Sequence, residues 1–233
     1  MGIYEGLDKI KQYQDEIEAR RDSKIVWFSS EVKDGESVKV RFLQELDRGA
    51  EGYNDDNGLG IMVTEHSNPN DWHRKALCSM DDEGKCLGCE KHREEGWKAG
   101  WGQKSRLIIN VLIERKNGDR SVAVMSQANG SKAVIAPMIL ESAVSNNTLT
   151  DRWWKFTRQG EGTKTNWIPF VYSPDDDVDV TEYEVFDVRK AVREISYDEQ
   201  FDHYFKGAST GEDSEKEDKP AASKGSTTPD EEW

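Results

Sequence analysis

All three cysteines and three of the four histidines of this 233-residue chain fall between residues 66 and 92. Cys86-Leu87-Gly88-Cys89 is a Cys-x-x-Cys knuckle, and Cys78 lies eight residues before it. Two thiolates from one knuckle can face one tetrahedral ion while knuckle amides hydrogen-bond to their sulfurs, and Gly88 allows the tight backbone this needs. A third thiolate and one imidazole complete a closed Cys3His structural zinc site. The imidazole could come from His66, His73 or His92. His66 is preferred because it ends a predicted strand, a fixed platform, and His73 is the next choice. Four protein ligands leave no open position, so the expected role of one Zn2+ is structural. Such an ion contributes an apparent ~10–16 kcal/mol in zinc-finger peptides, enough to organise a loop too polar to fold by itself. A redox knuckle fits less well, because no βαβ pattern surrounds it.

A second constellation lies downstream. Residues 97–173 hold eleven lysines and arginines against five acids, together with five of the eight tryptophans. Cations that follow phosphates, interleaved with flat side chains that stack on bases, are what single-stranded nucleic acid requires. The candidates are Trp97, Trp101, Lys104, Arg106, Arg115, Arg120, Trp153, Lys155, Arg158, Lys164 and Trp167, joined by Lys39 and Arg41 from an earlier strand. On a strand Trp153 and Lys155 share one face and Trp154 and Phe156 the other, so one of each aromatic pair should be core. The net charge of −14 argues against a polyanion only until its distribution is read. Residues 174–206 carry net −7 and residues 207–233 net −5, so the acid is concentrated behind a basic centre. Local charge is what a phosphate chain feels. No phosphate loop, nucleophile elbow or metal-spaced carboxylate cluster is present, and the chain reads as a non-enzyme. Asp175-Asp176-Asp177 reads as a solvated turn.

The elements that must position these residues are mostly strands. Val38, Val40 and Phe42 alternate with Lys39 and Arg41. Ile61-Met62-Val63 is a short strand leading to His66. Leu107-Ile108-Ile109-Asn110-Val111-Leu112-Ile113 is too short and β-branched to favour a helix, and Asn117-Gly118-Asp119 turns it into Ser121–Met125 as a hairpin. Trp153–Phe156 and Trp167–Tyr172 are further strands. Helices are expected over 3–21, where Ile3, Leu7, Ile10, Tyr13 and Ile17 form one apolar stripe, over 131–146 with Pro137 marking a kink or late start, and over about 186–204 behind an Asp187 cap. The expected fold is mainly β with flanking helices, a five-stranded Greek-key barrel of the OB type. The expected domains are an N-terminal helical arm (1–30), an OB core (31–206) with a zinc subdomain at about 64–96, and a disordered acidic tail (207–233). No apolar run approaches the roughly 18 residues of a membrane span, so no membrane partner is expected. The opening residues lack the basic and apolar regions of a secretory signal, which with the odd cysteine count predicts a reducing cytoplasm.

From Val38 to Tyr172 the chain resembles the zinc-containing single-stranded-DNA-binding proteins of T-even bacteriophages. The resemblance is carried by Phe28-Ser29-Ser30, by Ser37-Val38-Lys39-Val40-Arg41-Phe42-Leu43, by a strand ending in His66, by Cys78-Ser79 and Cys86-Leu87-Gly88-Cys89, by the run from Leu107 to Ile113, and by a helix followed by a late aromatic strand. It covers about 130 residues in order. It implies an OB barrel with an embedded Cys3His zinc subdomain and assigns His66 as the fourth ligand. It also implies cooperative, sequence-indifferent coating of single-stranded DNA in phage replication, recombination and repair, with other copies along the DNA, in the cytoplasm of the infected bacterial host. The end, Asp230-Glu231-Glu232-Trp233, looks like the acidic tails with a terminal aromatic found in other single-strand binders, which dock replication and recombination proteins. An RNA-binding OB module and a zinc-stabilised interaction scaffold are the competing expectations.

Overall fold

The computed structural model describes residues 25–160, 165–172 and 178–206, the side chain of Trp72 excepted. The expected N-terminal helix, Lys164, Asp175–Asp177 and the whole tail with Asp230, Glu231, Glu232 and Trp233 lie outside the described residues.

Seven strands form one antiparallel sheet. They are β1 (Ser37–Phe42), β2 (Ile61–Asn68), β3 (Asp71–Leu77), β4 (Lys104–Glu114), β5 (Arg120–Ala128), β6 (Trp153–Gln159) and β7 (Asn166–Val171). The order is β3-β2-β4-β1-β6-β7, with β5 on the other edge of β4. β4 is the axle. Its first half pairs with β2 (Ile61 opposite Ile108), its second half with β1 (Val40 opposite Ile113), and its whole length with β5. The predicted hairpin through Gly118 is present, with Gly118 at φ 87°, a left-handed conformation that glycine adopts at little cost.

Alternation sorts the side chains. Val38, Val40, Phe42, Leu107, Ile109, Val111, Ile113, Ala123, Met125, Trp154 and Phe156 point into the main core. Helix α4 (Ile135–Asn146) caps that core through Ile135, Ala136 and Ile139. Pro137 sits at its third residue, inside the first turn, where a missing N–H costs no helical bond. The opposite face of β4 is buried too. Residues 178–192 run over it as a strap, placing Val180, Tyr183 and Val185 against Leu112 and Trp153, and Phe186 and Val188 against Ile108 and Val124. A strand covered on both faces reads as an unbroken apolar run, which is why residues 107–113 do.

No ladder joins β5 to β7 among the described residues. The segment before β1 fills that side. The Val124 N–H donates to the Val26 carbonyl, Trp27 makes a parallel bridge to Val124, and Phe28, in the single turn α1 (Phe28–Glu31), packs on Phe156 and at 4.7 Å on Trp167. Phe28 is 2% exposed. The core therefore begins before residue 31, and an arm ending at residue 30 is corrected on its inner side.

Two other expectations change. The helix expected over 186–204 is broken. A 3-10 turn, Val188–Ala191, is capped by Asp187, and a separate helix α5 spans Tyr197–Phe205. Val188 and Val192 serve the sheet cluster while Ile195 serves another with Trp101 and Tyr204, so the apolar spacing reflected two destinations rather than one helix face. The strand β3, paired with β2 (His66 opposite Ala76), had no alternating apolar signal in Asp71-Trp72-His73-Arg74-Lys75.

Candidate functional site

His66, Cys78, Cys86 and Cys89 converge. Their ligand atoms all lie within 4.8 Å of one another, so the group could hold a metal ion. Cys78 Sγ is 3.6 Å from Cys89 Sγ, and Cys89 Sγ is 3.3 Å from His66 Nε2. A tetrahedral ion with ~2.3 Å bonds to sulfur needs sulfur–sulfur edges of about 3.8 Å, so the donors already sit close to that figure. His73 and His92 lie outside the cluster.

Each ligand has a structural reason for its place. His66 lies within β2, its ring on the face opposite Glu65 and Ser67. Its Nδ1–H donates to the Trp101 carbonyl at 2.6 Å. A carbonyl can only accept, so this bond fixes the tautomer and turns the Nε2 lone pair toward the thiols. Cys78 stands just before the single turn α2 (Met80–Glu83), Cys86 is the cap residue of helix α3 (Leu87–Glu95), and Cys89 lies in its first turn. The Gln103 amide donates toward Cys78 Sγ at 3.4 Å and Cys89 Sγ at 3.5 Å, which favours thiolates. Buried Gln200 of α5 locks the knuckle from behind, accepting from the Leu87 N–H and donating to Ser79 Oγ. Gln103 and Gln200 carry no sequence signal that would mark them.

The electrostatics suit a cation. Burial opposes charge on His66, but hydrogen bonding to Cys86 and to the Trp101 carbonyl raises it to about 9. Burial also opposes the Cys86 thiolate, yet the His66 contact lowers it to about 6. Burial and the neighbouring sulfurs push Cys89 up to about 12. Without a metal the site thus keeps one imidazolium–thiolate pair, and an incoming ion has to displace protons.

Gly88 is required for a further reason. A Cβ there would lie 2.3 Å from Cγ of His66. Gly88→Ala is expected to swing the imidazole out of line and weaken metal binding at least tenfold, measured by competition with a chromogenic chelator; unchanged affinity would contradict this reading.

The basic residues gather around the other side of β2. Lys75, Lys104 and Arg106 line a cleft of about 150 Å³ with Glu65, His66 and Ser67. Glu65 is 3% exposed and faces Lys75 at 3.3 Å and Arg106 at 3.8 Å. Lys104 Nζ donates to Ser67 Oγ at 2.7 Å. One buried carboxylate holds cations that outnumber it. Lys75 and Arg106 also line an adjoining cavity of about 280 Å³ with Trp27, Phe28, Gln127 and Trp167. Neither Lys75 nor Trp27 stood among the sequence candidates. Lys75 was hidden with β3, and Trp27 preceded the first strand pattern.

The other candidates divide. Trp101 is 3% exposed and packs on Ala76 and Tyr204, so it is core of the metal lobe rather than part of an open face. Trp153 is 5% exposed beneath the strap, with Lys39, Arg41 and Arg120 within 5.9 Å of its ring. Buried Arg41 donates to the Thr150 carbonyl. Arg115 pairs with Glu31, Arg120 with Glu114, and Arg158 donates to the Ser29 and Val32 carbonyls. These arginines are committed to the fold. Trp97, Lys39 and Lys155 are exposed.

An antiparallel seven-stranded β protein with few helices and a His/Cys3 cluster that could hold a metal ion is the class this geometry defines. Compared with family models, curated proteins and solved structures, the chain finds no match in any of the three. No helix among the described residues is long and apolar enough to cross a membrane.

Proposed function

We propose that this chain is a non-enzymatic, sequence-indifferent single-stranded-DNA-binding protein, with an OB-type barrel as its core and one structural Zn2+ in the His66–Cys78–Cys86–Cys89 cluster. The observation that carries the reading is the cleft beside the metal lobe. Lys75, Lys104 and Arg106 present cations for phosphates, and the adjoining cavity carries Trp27 and Trp167 for bases. β2 links the two centres, because His66 faces the metal while Glu65 and Ser67 face the cleft. The three thiolate donors favour zinc over a hard cation. The segment around Trp27 and Phe28, which fills the side between β5 and β7, supports an OB-type closure. On this reading the protein coats single strands during phage replication, recombination and repair in the bacterial cytoplasm. Its acidic tail, through Asp230, Glu231, Glu232 and Trp233, docks the replication and recombination proteins.

The test is titration with a thymidine hexanucleotide, followed by anisotropy at several salt concentrations. Three neutralised phosphates at roughly −0.7 per contact predict a slope near −2.1 and an affinity loss of about 20-fold between 50 and 200 mM salt. Arg106→Ala is expected to reduce the slope by about 0.7. Absence of binding at low salt would sink the proposal.

A further inference from the structure

The cleft leaves unused an aromatic and cationic surface on the other side of β7. Ladder register sets it out in rows. Lys39 of β1 is directly opposite Lys155 of β6, and Lys155 is directly opposite Phe170 of β7. In the next row Ser37 is opposite Thr157 and Thr157 opposite Ile168. Phe170 is 61% exposed, Ile168 45% and Tyr172 38%, and the Phe170 and Tyr172 rings meet edge to face at 5.5 Å. Single exposed apolar residues are ordinary, but Ile168 and Phe170 on β7 with Tyr172 just past its end form a patch. Two lysines directly opposite across a ladder repel. Lys39 is offset by Glu114 at 3.1 Å, which also holds Arg120, while Lys155 has no acidic partner among the described residues. The row therefore carries excess positive charge beside exposed rings, and a polyanion bearing flat bases is its chemical complement.

We propose that this face of β1, β6 and β7 is a second contact surface for the same single strand, with a base stacked on Phe170 and phosphates against Lys39 and Lys155. The inference rests on the single-strand reading above. β7 connects the two surfaces: Trp167 lines the cavity that adjoins the cleft, and Ile168 and Phe170 lie on the strand's other face. A strand too long for the cleft crosses the β7 edge to reach the rings.

The experiment compares a thymidine hexanucleotide with a dodecanucleotide on the full, zinc-loaded chain, one protein per oligonucleotide. Wild type should bind the dodecamer more tightly, with a salt slope steeper by about 1.4 for two added phosphate contacts. Phe170→Ala should weaken the dodecamer about tenfold, the loss of one base stack, and leave the hexamer within twofold. Lys39→Ala with Lys155→Ala should remove the added slope. Phe170→Trp should retain affinity and be quenched by the dodecamer but not the hexamer. All three side chains are solvent-facing, so misfolding is not the expected cause of any loss. A dodecamer bound no more tightly than the hexamer, or a Phe170→Ala loss equal at both lengths, overturns this surface and leaves the cleft standing. Failure of wild type to bind either oligonucleotide overturns both.

Discussion

Chelating an ion held by His66, Cys78, Cys86 and Cys89 is expected to leave the lobe from about residue 64 to residue 103 only partly ordered while the β1–β4–β5–β6 core stays folded. The asymmetry follows from what each part buries. The main core packs seventeen buried residues around the inner sheet face. The lobe's own cluster has only Ala76, Trp101 and Tyr204 fully covered, with Leu87, Ala99 and Ile195 at its margin. Ordering each residue of such a lobe costs roughly 1–2 kcal/mol of backbone entropy, more than so small a cluster can offset. Ion binding has to supply the difference. Trp101 emission should shift to the red on chelation, and amide exchange should accelerate across α3 but not across β4. Cys86→Ser should reproduce both effects without chelator. Unchanged Trp101 emission would show that the lobe is held by packing alone. The remaining order in the chelated lobe should depend on pH. The His66 contribution is whole below its ordinary 6.5 and gone above about 9, and the Cys86 contribution is whole above its ordinary 9.0 and gone below about 6. The ion pair they share survives only between those limits, so residual protection should be greatest near neutrality and fall on either side.

Glu45→Ala should destabilise the folded chain by about 3–5 kcal/mol, because two buried backbone N–H groups and two hydroxyls lose their acceptor at roughly 1–3 kcal/mol for each group left unpaired. Glu45 is 1% exposed. Its carboxylate accepts from the hydroxyls of Thr148 and Thr150 and from the backbone N–H groups of Leu149 and Thr150, at 2.7–3.0 Å. These contacts tie the loop after β1 to the entry of β6, 103 residues away in sequence. Glu45→Gln should also cost stability, because one amide end would direct N–H at N–H. Gly52 packs so closely here that a Cβ would lie 2.4 Å from Glu45 Oε1. Urea unfolding of the metal-loaded protein measures the effect; a change below 1 kcal/mol would mean that the loop is fixed from elsewhere.

Glu45 also shows where the sequence stopped being readable. It has no periodic partner and no motif, and its importance comes from threonines a hundred residues on. Alternation exposed β1, β6 and β7, and the unbroken apolar run of β4, buried on both faces, with the Gly118 turn exposed the β4–β5 hairpin. They missed β3, whose polar residues pair with β2 at the margin of the sheet. The convergence of His66, Cys78, Cys86 and Cys89 was legible because thiol spacing constrains geometry directly. The cationic surfaces were legible as composition but not as place. Arg41, Arg115 and Arg158 look like phosphate ligands in a string of letters, yet each is engaged by a carbonyl or carboxylate. Lys75 and Trp27, which line the cleft and its adjoining cavity, stood in segments with no pattern to draw attention. The helix expected after Asp187 failed for a related reason. Its apolar residues serve two separate clusters, which a single spacing cannot reveal.

The outer edge of β7 is a poor template for another strand. The Tyr172 N–H donates to the Trp153 carbonyl, so even-numbered residues of β7 direct their amides at β6 and odd-numbered ones direct theirs outward. Pro169 occupies the middle outward position and has no N–H to offer. The row of donors that would recruit a foreign strand is interrupted at its centre. Two copies of the chain that meet at this edge are thereby kept from joining their sheets into one.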